Sequence, residues 1–163
     1  MLKKYCYKLI LLSLIFFNGC ISPPDYPIQP VITYKSMTKN HLNQGQFNND
    51  SLSITFSFTD GDGDIGTQDS TLSLFVIDKR DGNYSNKYKL PYVSQEGTAN
   101  GISGEVQFVI FTTCCYFPNG ATPCEKSTTY PTDTLVYQIY MKDRAGHTSN
   151  IIETDPIILD CTK

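Results

Sequence analysis

From Ser51 to Phe58 the chain reads SLSITFSF, and apolar Leu52, Ile54, Phe56 and Phe58 alternate without a break with Ser51, Ser53, Thr55 and Ser57. Successive side chains of a β-strand point to opposite faces, so this segment has one face for a core and one for water. A helix would scatter the same apolar residues around its circumference. The period returns in TLSLFVID, with Leu72, Leu74 and Val76 in step, in GEVQFVIF, with Val106, Phe108 and Ile110, and in TLVYQIYMK, with Leu135, Tyr137, Ile139 and Met141. PVITYK, NKYKLPYV and IIETDPIIL are further strand candidates, and Pro91 confines the second of them to a sheet edge because it has no N–H to donate.

About seven short strands separated by turn-rich connections predict an all-β fold, an immunoglobulin-like antiparallel β-sandwich, with a small barrel as the alternative. No stretch has sustained helical periodicity, an internal repeat or a coiled-coil heptad.

The N-terminus reads MLKKYCYK, then the apolar run LILLSLIFF, then NGC. Lys3, Lys4 and Lys8 precede an apolar stretch too short to span a bilayer as a permanent helix. The pattern resembles a bacterial lipoprotein signal, which implies cleavage between Gly19 and Cys20 and a diacylated Cys20; cleavage by the ordinary secretory peptidase is the alternative. Residues 1–19 then form the signal, 20–30 a proline-rich linker, and 31–163 one domain. The expected location is the bacterial cell envelope, lipid-anchored at the outer membrane or cell surface. Pro23, Pro24, Pro27 and Pro30 favour an extended, stiff spacer.

Loss of the signal removes three lysines and no acid, which leaves ten basic residues against 16 acidic ones. That balance offers no basic patch for nucleic acid and favours cations over polyanions.

Directly after the strongest strand comes DGDGDIG, in which Asp60, Asp62 and Asp64 alternate with glycines. A sandwich brings this loop beside MKDRAGHTSN, which supplies Asp143 at a strand end, with Arg144, Gly146, His147 and Asn150 following. Four carboxylates on glycine-permitted turns suit Ca²⁺, which takes about six to eight oxygens in irregular geometry. The resemblance to an EF-hand loop stops at the ligand spacing: Ile65 stands where Gly is required, Thr71 where a bidentate Glu belongs, and strands flank the loop. A solvated polar turn, with Asp side chains capping backbone amides, is the competing explanation.

FSFTDGDGDIG followed by KDRAGHTSN resembles bacterial cell-surface lipoproteins with immunoglobulin-like domains. The second segment is similar to the D-x-A-G-N-x-S ending of many bacterial immunoglobulin-like repeats. The resemblance covers about a third of the domain and implies fold and compartment rather than a ligand.

Cys114, Cys115, Cys124 and Cys161 remain after Cys6 leaves with the signal and Cys20 takes lipid. In an oxidising envelope four cysteines predict two disulfides. Neighbours on a strand face opposite ways, so Cys114 and Cys115 each need a separate partner. Either pairing with Cys124 and Cys161 is open; one bridge is expected to close the YFPNGATPC loop and the other to tie down the chain end. A four-thiolate zinc site is the alternative, against which the spacing lacks paired C-x₂-C knuckles.

The stapled segment, residues 112–133, displays Tyr116, Phe117, Asn119 and Tyr130 among Pro and Gly. Rings beside amides are the parts of a sugar-binding platform, whereas packing of the same rings beneath the loop is the alternative. DSL, DST and DTL, at Asp50, Asp69 and Asp133, are similar to the acceptor sequence of bacterial periplasmic O-glycosylation, which implies Ser51, Ser70 and Thr134 as acceptors; ordinary loop-to-strand chemistry explains them equally.

The two histidines, His41 and His147, sit in no nucleophile or metallohydrolase motif, and the Asp cluster lies on one turn rather than across a cleft. The expected function is non-catalytic: a calcium-stabilised envelope lipoprotein domain with an adhesion or accessory binding role. A carbohydrate-binding module of a glycan-uptake system and a structural subunit of an outer-membrane complex are the alternatives. The expected partners are the membrane, through the lipid, and a glycan or outer-membrane protein.

Overall fold

The computed structural model describes residues 25–94 and 101–163. The signal, Cys20 and the first linker residues lie outside the described residues. Ten strands and no helix make up the described chain: β1 (Val31–Met37), β2 (His41–Asn43), β3 (Ser51–Asp60), β4 (Leu74–Asp78), β5 (Asn83–Tyr88), β6 (Ile102–Phe111), β7 (Thr132–Leu135), β8 (Tyr137–Met141), β9 (Ile152–Glu153) and β10 (Ile157–Asp160).

One sheet has the order β1-β3-β6, all antiparallel. The others are β2-β10-β7 and β5-β4-β8-β9, which run on from each other because Val136 alone separates β7 from β8, and both strands pair with the chain's last two strands. The break lies opposite the segment between β9 and β10. Pro156 cannot donate to a ladder, and the Thr154 hydroxyl steps in to accept the Tyr137 N–H at 3.1 Å. The N-terminal strand crosses between layers, β1 pairing with β3 and β2 lying parallel to β10. Counting β1 with β2, β7 with β8 and β9 with β10 as one strand each gives the seven strands of the expected sandwich, and not a closed barrel.

The core follows the alternation of β3. Leu52, Ile54 and Phe56 are buried against Phe108 and Ile110 of β6, and the second layer contributes Leu74, Val76, Leu135, Tyr137, Ile139, Met141, Ile157 and Leu159. One part of the sequence pattern fails: Leu72, in step with Leu74 and Val76, is 44% exposed. The Asp69 carboxylate accepts the Thr71 N–H at 3.0 Å, and this Asx turn precedes the ladder, which the chain joins only at Ser73, whose N–H donates to the Tyr88 carbonyl at 2.9 Å. β5 is an edge strand, and Pro91 lies beyond its end.

β3 sets the long axis. Ser51 pairs with Phe111 at one pole and Asp60 pairs with Ile102 at the other. Val31, opposite Thr59, brings the chain in at the Asp60 pole.

The opposite pole is stapled. Cys114 bonds Cys124 and Cys115 bonds Cys161, which resolves the open pairing and excludes a four-thiolate zinc site. Each bridge adds about 2–4 kcal/mol by restricting the unfolded chain. Gln44, buried at 3% exposure, threads the pole: its amide donates to the carbonyls of Cys161 (2.8 Å) and Glu125 (3.1 Å) and accepts the Cys115 N–H (3.2 Å).

Candidate metal centre

The inward alternation of β3 runs one residue past its last aromatic. Leu52, Ile54, Phe56 and Phe58 face the core, and the next inward position is Asp60, fully buried. The chain then turns within four residues, and the Asp64 N–H donates to Asp60 Oδ2 at 2.9 Å. Gly63 occupies the left-handed region at φ 67°, where a side chain would be strained. Ile65, 2% exposed, plugs the end of the turn into the core.

Asp143 approaches from the end of β8 and is 7% exposed. His147 holds it twice, through its backbone N–H to Oδ1 (2.8 Å) and its ring Nδ1 at 2.7 Å from Oδ2. The two loops are stitched together: Ala145 N–H donates to Asp64 Oδ2 at 2.9 Å and Arg144 N–H to the Asp64 carbonyl at 3.1 Å. The Arg144 guanidinium locks the outer side, with Nη1 donating to the carbonyls of Ile65, Gly66 and Val93 at 2.9–3.0 Å.

Asp60, Asp62, Asp64 and Asp143 each offer one oxygen to a common centre, and these four oxygens lie within 4.8 Å of one another. Oδ1 of Asp60, Asp62 and Asp64 is buried with no hydrogen-bond partner among the described residues. Such orphaned oxygens are costly, at about 1–3 kcal/mol or more for each charged group. Burial pushes the Asp60 carboxyl up to about 6 against the pull of the Asp64 N–H, with the charges of Asp62, Asp64 and Asp143 adding to the rise. Burial and the charge of Asp143 raise Asp64 as well. The bond to Asp143 raises the His147 imidazole. Oxygens bound to a common cation at about 2.3–2.6 Å stand at most about 5 Å apart, a span that this set meets, and an all-oxygen donor set selects a hard cation. The buried acidic cluster thus has the composition and geometry to hold a metal ion, and β-strands flank its loop as the sequence indicates.

The other sequence-derived sites fare differently. Phe117 is 9% exposed and packs on half-buried Tyr130, ring centroids 6.2 Å apart, so these two rings pack beneath the loop, the second of the two readings, rather than forming an exposed platform. The physical reason is a satellite core under the stapled loop, continuous with the main one. Asn119 accepts the Ala121 N–H within its own turn. Of the three rings only Tyr116 is at the surface, stacked with Arg80 at 4.3 Å and its hydroxyl on Asp81 at 2.9 Å. Ser70 and Thr134 are exposed, whereas Ser51 is half-buried within β3.

Two features carry no sequence signal. Arg80, half-buried, lies between Asp78 (2.6 Å) and Asp133 (2.5 Å), pinning the β4–β5 turn to the stapled loop. Tyr92, 43% exposed, stacks on Arg144 at 4.6 Å beside the acidic cluster. It helps line a cleft of about 540 Å³ with Thr67, Gln68, Asp69 and Thr71, and Asp143 forms part of the wall.

No family model matches the chain, and no curated protein matches it in sequence. Two solved structures show a distant likeness. A β-glucosidase from Erythrobacter marinus is 16% identical at a TM-score of 0.37, over 80% of this chain and 15% of that one. A Niemann-Pick type C2 protein from the Japanese carpenter ant is 8% identical at 0.35, over 86% of this chain and all of that one. At these scores neither likeness bears on function.

Proposed function

We propose that this chain is a non-catalytic, lipid-anchored domain of the bacterial envelope, held rigid at one pole by Ca²⁺ and serving an adhesion or accessory binding role at the cell surface. The observation that carries the metal part is the set of three buried, unpartnered carboxylate oxygens facing Asp143. Calcium suits them because it tolerates irregular oxygen cages and retains water where protein ligands run out, while Mg²⁺ requires a near-ideal octahedron at about 2.0–2.1 Å. The lipid part rests on the Lys-rich, apolar N-terminus ending in Cys20. Calorimetric titration of the purified domain with Ca²⁺, with and without the Asp62→Ala, Asp64→Ala pair, tests the first. Absence of heat in the unmodified domain refutes it. Labelling with radioactive palmitate, lost in Cys20→Ala, tests the second.

The cleft beside the metal favours a second reading, a carbohydrate-binding module. Tyr92 offers a ring face fixed by Arg144, while Gln68, Asp69, Thr67 and Thr71 offer hydrogen bonds to hydroxyls. This moves the aromatic platform from Tyr116 and Phe117 to Tyr92. Binding to a polysaccharide panel that Tyr92→Ala abolishes and Tyr116→Ala leaves intact supports it; no binding to any glycan removes it.

A further inference from the structure

We propose that the cation fastens the segment leading into the domain, residues 25–30, so that metal and strap occupy two sides of the same pair of loops. The proposal rests on the calcium reading above and extends it, since the site then controls how firmly the domain is held to the chain preceding it.

The strap's seat has two halves. One is Gly61, flanked by Asp60 and Asp62. Its N–H donates to the Pro27 carbonyl at 2.7 Å, and a Cβ there would lie 2.3 Å from the Tyr26 carbonyl oxygen and 2.8 Å from that of Pro27. Gly101 lies on the same side, where a Cβ would come 2.9 Å from the Tyr26 ring and equally close to the Asp60 carbonyl. Only glycines let the strap settle on this surface.

The other half is the loop after β8. Gln29 Nε2 donates to the Thr148 carbonyl. Asn150 then binds Ile32 at both ends of its amide, accepting from the backbone N–H at 2.8 Å and donating to the carbonyl at 2.9 Å. Thr148 directly follows His147, the residue that holds Asp143.

The strap therefore bridges the loop that carries Asp60, Asp62 and Asp64 and the loop that carries Asp143. Four carboxylates converging within 4.8 Å repel one another when no cation lies between them, and that repulsion parts the two halves of the seat. A bound cation draws them together and restores the geometry that Pro27, Gln29 and Ile32 grip. Linkage makes the effect reciprocal: if calcium tightens the strap by some factor, the docked strap raises calcium affinity by the same factor.

Hydrogen–deuterium exchange of the purified mature protein, in saturating Ca²⁺ and in EDTA, tests this beside calorimetry on the same sample. Calcium is expected to slow exchange across residues 25–32 by about tenfold, within the usual range of a coupling between sites, while β7 and β10 at the far pole change little. Gly61→Ala alters no carboxylate but displaces Tyr26 and Pro27; it is expected to abolish the calcium-dependent protection of residues 25–32 and weaken calcium binding by a similar factor. Gln29→Ala, which leaves both loops' backbones untouched, gives a smaller loss of the same sign and serves should Gly61→Ala fail to fold. Calcium heat with unchanged exchange at residues 25–32 overturns the strap and leaves the calcium reading standing. No calcium heat in the unmodified protein overturns both.

Discussion

Asp64 and Ala145 are 81 residues apart in sequence, and the Ala145 N–H donates to Asp64 Oδ2 at 2.9 Å. One oxygen of Asp64 thus joins two loops while the other, Oδ1, is buried with no partner among the described residues. Asp64→Asn separates these duties. An amide oxygen still accepts the Ala145 bond, but a charge leaves the cluster. In EDTA the variant is expected to be more stable than the unmodified domain, by about 1 kcal/mol. In Ca²⁺ it should lose most of the stabilisation that the cation confers. Urea titrations with and without Ca²⁺ check both signs.

Protons compete for the same oxygens. Asp60 titrates near 6 in the folded metal-free domain, above its ordinary 3.8, so the folded state binds the proton more tightly than the unfolded chain. Metal-free stability from this group therefore increases as pH falls through about 6 and levels off below about 4. His147, raised above 6.5, acts in the same direction: its contribution is present below 6.5 and is lost as pH rises through the raised folded value. In Ca²⁺ the trend reverses, because protonated Asp60 no longer serves as a ligand. Melting temperatures from pH 7.5 to 4.5 in EDTA and in Ca²⁺ should converge, and Asp60→Asn should reduce the pH slope in EDTA, leaving the part due to Asp64 and His147.

The two disulfides differ in reach. Cys114–Cys124 spans 10 residues and Cys115–Cys161 spans 46. Loop-closure entropy makes the longer bridge worth about 1 kcal/mol more. Cys115 and Cys161 are also fully buried, whereas Cys114 and Cys124 are half-buried. The Cys115→Ala, Cys161→Ala pair is accordingly expected to lower the urea midpoint further than the Cys114→Ala, Cys124→Ala pair.

Arg80 is the other tie at that pole. Removing its guanidinium leaves Asp78 and Asp133 facing each other at low exposure, and Arg80→Ala should cost about 3–5 kcal/mol. Arg80→Lys recovers little, because a point charge cannot make the several bonds to Asp78, Asp133 and the Cys114 carbonyl at once. Equilibrium unfolding of both variants checks the order.

What was legible in the sequence was what is written locally. The period of β3 lies in adjacent residues and identifies the strand, whereas its continuation to a buried Asp60, past the Phe58 where the apolar pattern ends, emerges only in the fold. Asp143 joins the cluster through topology, since a sandwich places the two loops side by side. The break at Val136 was hidden because the residues opposite it, Thr154 and Pro156, lie on the segment between β9 and β10. Phe117 left packing and display both open for a related reason: an aromatic in a long loop carries no period to say which way it points. Tyr92 and Arg80 matter through partners 52 and 53 residues away, and such pairings leave no mark on local pattern.

The chain enters at the Asp60 pole, and Cys161 is bonded to Cys115 at the other. A pull on the N-terminal segment against a partner held at the disulfide pole loads β1 along its length. The bonds between β1 and β3, paired from Val31–Thr59 to Met37–Ile54, then bear shear together instead of opening one at a time. At the far pole the Cys115–Cys161 bridge ties the residue after β10 covalently to the segment that follows β6. The ladder between β1 and β3 therefore resists a pull along β1 better than a pull across it.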